Sequence, residues 1–89
     1  MIIKLELFGA SREFSNKNHL VFNVKEKISI KDFKKEIINY VDANFKGNEN
    51  FKKIVETSAF FSEDNNIIND NYKIIKDQKI GIIPPIGGG

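Results

Sequence analysis

The residues with most to offer chemically stand at the end of the chain, in the run Ile82-Ile83-Pro84-Pro85-Ile86-Gly87-Gly88-Gly89. An apolar, strand-like pattern stops there at two prolines. Proline donates no ladder hydrogen bond, so pairing ends. Ile83, preceding a proline, is held extended, and the Pro84-Pro85 pair favours a stiff polyproline II segment that points the tail away from the body. Residues beyond Pro85 then reach roughly 13 Å further. Glycines are costly to order and add nothing to a core. What Gly87, Gly88 and Gly89 offer is access: without Cβ atoms they can thread a narrow channel and bring the terminal carboxylate to a partner's active site. That carboxylate, with a pKa of about 3.5, is ionised and a poor electrophile. Adenylation by ATP gives an acyl-adenylate with AMP as leaving group, and a sulfur nucleophile then makes a thiocarboxylate. A glycine run alone suits an inert, frayed end; the order of strand, Pro-Pro, apolar residue and triglycine favours a working tail.

Little else in the sequence competes for the chemistry. There is no cysteine, which removes disulfides, thiolate metal sites and a cysteine nucleophile. His19 is the single histidine, too few for a His-based triad or a multi-His metal site. No metal is therefore expected. The formal net charge is +2, with acidic and basic residues interleaved, which argues against a nucleic-acid face. No apolar run approaches a membrane span, and the charges within Ile2 to Phe8 are wrong for a signal peptide. The cytoplasm is the expected compartment.

The elements that must carry the tail follow from periodicity. Residues 2 to 8 alternate, with Ile3, Leu5 and Leu7 on one face and Lys4, Glu6 and Phe8 on the other. Gly9-Ala10 breaks this strand, Ser11 to Phe14 suits one helical turn, and Leu20, Phe22 and Val24 mark a second strand of a hairpin. Ser29 is a helix cap with Asp32 three residues on. Ile30, Phe33, Ile37, Val41 and Phe45 keep helical spacing up to Gly47. A short helix is expected over Phe51 to Glu56, a third strand over Ser58 to Ser62, a short return at Ile67-Ile68, a buried anchor at Ile74-Ile75 and a last strand over Lys79 to Ile83. Two strands, a helix across one face and returning strands make an α+β domain with one sheet face open. The first and last strands are expected side by side and parallel.

On these residues the chain resembles the MoaD/ThiS family of sulfur carriers, most of all the small subunits of molybdopterin synthase. The resemblance lies in Phe8-Gly9-Ala10-Ser11-Arg12-Glu13, in Ser29-Ile30 with its helix, in Lys76-Asp77, and in the tail from Ile82 to Gly89. It implies a β-grasp, ubiquitin-like mixed sheet over residues 1–85, with one main helix across one face and a flexible diglycine tail over 86–89. It also implies that the Gly89 carboxylate is adenylated by a ubiquitin-activating-like, MoeB-type adenylyltransferase, which uses the ATP, and becomes a thiocarboxylate. Pro84, Pro85, Ile86, Gly87 and Gly88 then thread into a large, MoaE-type subunit, implied to assemble with the small one as a heterotetramer. There the sulfur passes to cyclic pyranopterin monophosphate in molybdopterin synthesis. The chain itself binds no cofactor and is not catalytic alone; nucleic acid and membrane are not among the implied partners. The turn Lys76-Asp77-Gln78-Lys79 is shorter and less acidic than is usual in the family.

A partner must dock beside the tail root. Phe8, Phe60 and Ile83 are expected to form an exposed apolar patch on the open sheet face, and Arg12 is a candidate for pairing with a partner carboxylate through its fork geometry. His19 reads as a strand-edge residue, and Lys31, Lys34 and Lys35 as a solvated helix face. Other readings share the tail: a carrier for thiamin thiazole or another sulfur relay, or a modifier joined through Gly89 to lysines. An inert ubiquitin-like module is the remaining one. The Pro-Pro pair and the helix near Phe51 favour the molybdopterin type over the shorter thiamin type.

Overall fold

The computed structural model describes residues 1–85. The elements run β1 (Ile2–Leu7), a 3-10 helix (Gly9–Phe14), β2 (His19–Asn23), β3 (Ile28–Ser29), α1 (Ile30–Phe45) and α2 (Glu49–Thr57). They continue with β4 (Ala59–Phe61), β5 (Ile67–Ile68), β6 (Lys73–Ile74) and β7 (Gln78–Ile83). Five strands form one mixed sheet in the order β2-β1-β7-β4-β5, and β3 pairs with β6 in a small second sheet. β1 and β7 lie side by side and parallel, Leu5 opposite Ile80 and Leu7 opposite Ile82, as the strand order predicts. β1 and β2 form the expected antiparallel hairpin. This is the β-grasp architecture.

Alternation decides what each strand buries. Ile3, Leu5 and Leu7 of β1 and Ile80 and Ile82 of β7 are solvent-free and join Phe33 and Ile37 of α1 in one core. Val41 is buried as well. The Ser29 hydroxyl accepts the Asp32 N–H at 3.1 Å, fixing where α1 starts. Its end is left-handed at two consecutive residues, Lys46 and Gly47, so the breaker begins one residue before the glycine. α2 is longer than its apolar pattern suggests, because the Asn48 side chain accepts the Phe51 N–H at 3.1 Å and caps the helix before Glu49.

An aromatic run ties the helices to the loop after β1. Phe22 packs on Phe33 and Tyr40, Tyr40 on Phe45, Phe45 on Phe51, and Phe51 on Phe14, with centroids 5.0 to 6.2 Å apart. These tilted and edge-on arrangements are the favoured ones for aromatic pairs. The Tyr40 hydroxyl donates to the Phe14 carbonyl at 2.6 Å, so the polar tip of a half-buried ring is satisfied. At the opposite end of the sheet the Asp77 carboxylate accepts the Ile2 N–H at 2.7 Å, tying the turn before β7 to the start of β1.

Two expectations are corrected. Phe60 is not exposed: it pairs with Ile82, shares that residue's face and is buried in the core. Its neighbour Phe61, paired with Gly81, faces the open side. A strand of only Ala59-Phe60-Phe61 carries too little alternation to set its own phase, and a one-residue error exchanges the faces. The Ile74-Ile75 anchor is half right, since Ile74 is buried and Ile75 largely exposed. Ile74 pairs with Ile28 in the small sheet, which is too short to register as periodicity.

Candidate functional site

The open face of the sheet carries exposed apolar residues at several places, Ile2, Val21 and Ile67 among them, and the group that adjoins the tail stands where β1 and β7 finish. Phe8 follows β1 directly. Its N–H donates to the Ile82 carbonyl at 3.3 Å and to Ser11 Oγ at 3.0 Å, and the Ser11 hydroxyl donates back to the Phe8 carbonyl at 2.6 Å. Buried Ser11 thus satisfies both main-chain groups of Phe8 and holds the residue where the chain turns. Gly9, with φ of +55°, makes that turn and opens the 3-10 helix.

Phe8, partly exposed, lies beside Gly81 of β7 and near Phe61 of β4: a Cβ added to Gly81 would meet Phe8 Cε2 at 3.4 Å and Phe61 Cβ at 3.8 Å. Together with Ile83 these residues line a recess of about 330 Å³. Its polar side holds Glu6, Ser62, Glu63, Asn65 and Lys79. Lys79 Nζ pairs with Glu6 at 3.3 Å across the neighbouring strands. The Lys79 N–H, beyond the stretch of β7 that β4 covers, donates to Glu63 at 3.4 Å.

The root of the tail is a second feature. Pro84 is buried and Pro85 exposed. Pro84 packs beside Gly9, where an added Cβ would stand 3.7 Å from its Cδ. Both prolines border a recess of about 300 Å³ with Ala10 of the 3-10 helix and Asn50, Lys53, Ile54 and Thr57 of α2. Pro84 is therefore anchored to the body, and Pro85, though exposed, still borders the same recess, so the pair does not point away from the body as a unit. Ile86, Gly87, Gly88 and Gly89, and the expectation that they move freely, lie outside the described residues.

Of the residues singled out in the sequence, the fold brings Phe8 and Ile83 together and sets Pro84 at the end of the same strand. Arg12 is exposed on the 3-10 helix, outside the recess lining and without an ion pair among the described residues. His19 sits on β2, at the edge of the sheet, opposite Glu6. Among the described residues no group of three or more His, Asp or Glu side chains could hold a metal, and no helix is long and apolar enough to cross a membrane. Sequence reasoning missed Phe61, Gly81 and Glu63; a glycine inside an otherwise apolar last strand was the available signal. α1 and α2 are clamped by Lys52, whose ammonium lies 3.2 Å from Asp42 and 3.7 Å from Glu49. The hydrogen bond and charge of Asp42, with a smaller contribution from Glu49, raise the Lys52 pKa above its ordinary 10.5.

No protein-family model matches the chain, and no curated protein matches it. Solved structures do. SAMP1 from Haloferax volcanii superposes with a TM-score of 0.70 at 11% identity, all of both chains being covered. A Pyrococcus furiosus protein described as molybdopterin converting factor subunit 1 gives 0.68 at 16% identity, over 96% of this chain and 98% of that one. A chain of the Helicobacter pylori complex of molybdopterin-converting factor subunits 1 and 2 gives 0.54 at 17% identity, with full coverage of both. At such identities the likeness is one of fold, and it is the fold that the family resemblance implied.

Proposed function

We propose that the chain is a sulfur carrier of the MoaD/ThiS type, serving as the small subunit of a molybdopterin synthase. The observation that carries the reading is the placement of β7. This interior strand, parallel to β1, ends beside a recess walled on one side by Phe8, Phe61 and Ile83, with Pro84 seated against Gly9, and in sequence the glycine run follows after Pro85 and Ile86. A rigid root below a tail whose last three residues lack Cβ atoms is what delivery of a terminal carboxylate into another protein requires. α2 adds support, being an element the shorter thiamin-type carriers do not need.

In this reading an adenylyltransferase of the ubiquitin-activating kind joins the Gly89 carboxylate to the AMP moiety of ATP, releasing pyrophosphate. A sulfur nucleophile displaces AMP and leaves a thiocarboxylate. Within a large subunit the thiocarboxylate sulfur bonds to cyclic pyranopterin monophosphate, and water then cleaves the acyl carbon–sulfur bond, leaving the sulfur on the pterin and regenerating the carboxylate. The carrier contributes no side-chain catalysis and holds no cofactor, and it works in the cytoplasm. Residues 86–89 act as the tail and residues 1–85 as its platform. The complex of subunits 1 and 2 from Helicobacter pylori supports a large-subunit partner for a chain of this fold.

Intact-mass measurement after incubation with an activating enzyme, ATP and a sulfur source tests the reading. The mass should rise by one oxygen-to-sulfur exchange. Deleting Gly89 should abolish that gain without changing the fold, because it displaces the carboxylate by roughly 3.5 Å. Gly88→Val should fail as well, through its branched Cβ in a narrow channel. A gain that survives in the deletion variant overturns the reading. Adducts on lysines would favour a modifier. Sulfur accepted on Gly89 but refused by the pterin would favour another relay, such as thiamin thiazole synthesis.

A further inference from the structure

We propose that the recess over Gly81 receives an apolar side chain of a partner protein flanked by a lysine or arginine, with Gly81 as the floor and Glu63 as the anion that meets the cation. This deepens the carrier reading by giving the partner's docking element a chemistry, and it rests on that reading for the existence of a docked partner.

Gly81 is the anomaly from which the inference starts. Glycine weakens a strand interior, and in such a place it often marks a close approach by another group. The backbone does not demand it: Gly9 and Gly47 take positive φ, whereas Gly81 does not. Nor do its neighbours forbid a methyl group, since the nearest atoms, on Phe8 and Phe61, lie at ordinary contact distance. Alanine would fit the fold and strengthen the strand. What alanine would remove is depth, for its methyl group would fill the floor between Phe8 and Phe61.

The walls and mouth set the occupant. Phe8, Phe61 and Ile83 offer apolar contact, and a space of about 330 Å³ is large enough for one large side chain. At the mouth Glu6 and Lys79 neutralise each other. Glu63 receives only the Lys79 main-chain N–H, and its carboxylate has no cationic partner among the described residues. The turn bearing it is fixed: the Asn65 N–H donates to the Ser62 carbonyl and the Ser62 N–H to the Asn66 carbonyl, each at 2.9 Å, with Asn65 left-handed at φ of +63°. An anion without a cationic partner, carried on a fixed turn beside the apolar wall of Phe8, Phe61 and Ile83, selects a basic neighbour and rejects an acidic one.

The test is an amide-resolved NMR titration of the whole chain with three capped dipeptides, acetyl-Phe-Arg-amide, acetyl-Phe-Glu-amide and acetyl-Ala-Arg-amide. The first should perturb Phe61, Glu63, Gly81 and Ile83, and should bind about fivefold more tightly than the second, the scale of an exposed ion pair. The third should bind more weakly than the first. Gly81→Val should abolish binding and Gly81→Ala weaken it, the milder variant guarding against misfolding of the larger one. Glu63→Gln should remove the preference for arginine over glutamate. Equal binding of the first two peptides, unchanged binding by Gly81→Ala, or perturbations confined to another face would each overturn the proposal. The mass test on the unsubstituted chain separates the two readings. Sulfur gain without peptide binding sinks the pocket alone, and peptide binding without sulfur gain sinks the carrier chemistry alone.

Discussion

The two faces of the five-stranded sheet are built from alternate residues of the same strands, yet they follow different rules. On the covered face Ile3, Leu5, Leu7, Phe60, Ile80 and Ile82 are at most 2% exposed, and α1 closes over them. On the open face the residues between them are Lys4 and Glu6 on β1 with Phe8 just after it, and Lys79, Gly81 and Ile83 on β7. The covered face is uniformly apolar because every position there must be packed. The open face is mixed: Lys4, Glu6 and Lys79 stand among exposed Ile2 and Val21, while Phe8, Phe61 and Ile83 meet around one recess. A sheet solvated on one side needs only polar residues there. What sets Phe8, Phe61 and Ile83 apart from the scattered apolar residues of that face is that they border one recess, which is where the proposed partner contact is placed.

The sharpest way to break this contrast is the adjacent pair Phe60 and Phe61. Phe60→Ala should cost about 3–5 kcal/mol, as for other core phenylalanines. That is a large share of the roughly 5–15 kcal/mol a small domain possesses. Phe61→Ala, on the half-buried side, should cost under about 1 kcal/mol. Urea denaturation of the two variants checks this, and equal costs would mean that the register Phe60 to Ile82 is wrong.

Next in size is the effect on binding. Phe8→Asp or Ile83→Asp should weaken association with a large subunit at least tenfold, about 1.4 kcal/mol, because a charge would enter a desolvated contact. Stability should change by less than about 1 kcal/mol, since neither side chain belongs to the core. Calorimetric titration alongside thermal melting separates the two quantities. Unchanged affinity in both variants would move the docking surface elsewhere.

How much of this could be read beforehand depended on element length. The β1 and β7 runs are long enough to state their phase, so their parallel pairing and the outward aim of Phe8 and Ile83 were legible. Ser29 announced the start of α1 through a capping chemistry that works locally. β4, three residues long with two successive phenylalanines, could not announce its phase, because only the register with β7 decides which ring goes in. β3 and β6, two residues each, exist through a long-range pairing that leaves no periodic trace. The recess is a product of register too: Gly81, Phe61 and Phe8 come from three separate segments, and nothing local links them.

A smaller effect should come from Ser11. Ser11→Ala removes a hydroxyl that bonds both main-chain groups of Phe8, while the Phe8 N–H keeps its bond to the Ile82 carbonyl. One lost, partly compensated interaction of this kind costs about 1 kcal/mol. The change should also loosen the position of Phe8 on the open face, so that binding weakens even though the ring is intact. Parallel measurements of urea midpoint and affinity would show both; a stability loss with unchanged affinity would make Ser11 a purely structural residue.

The smallest expected effect sharpens the comparison from the covered side, where α1 and α2 meet at Lys52. Its ammonium pairs with Asp42 and Glu49, and its pKa is raised above 10.5, first through the hydrogen bond and charge of Asp42. A cation whose pKa is raised on folding stabilises the fold at every pH below its unfolded value. That contribution disappears as the pH climbs through the raised folded value. The clamp should therefore be constant from neutral pH to about pH 10 and fade above it. The surface exposure of the pair and salt screening keep it small. A single variant cannot isolate it, because each substitution also alters the other contacts of its side chain. A double-mutant cycle of Lys52→Met and Asp42→Asn does, because effects outside the pair cancel in the coupling energy. The coupling should be favourable at neutral pH, weaken in high salt and vanish in strong alkali. A coupling that persisted there would mean that the two helices are joined at this point by packing of the lysine stem rather than by its charge.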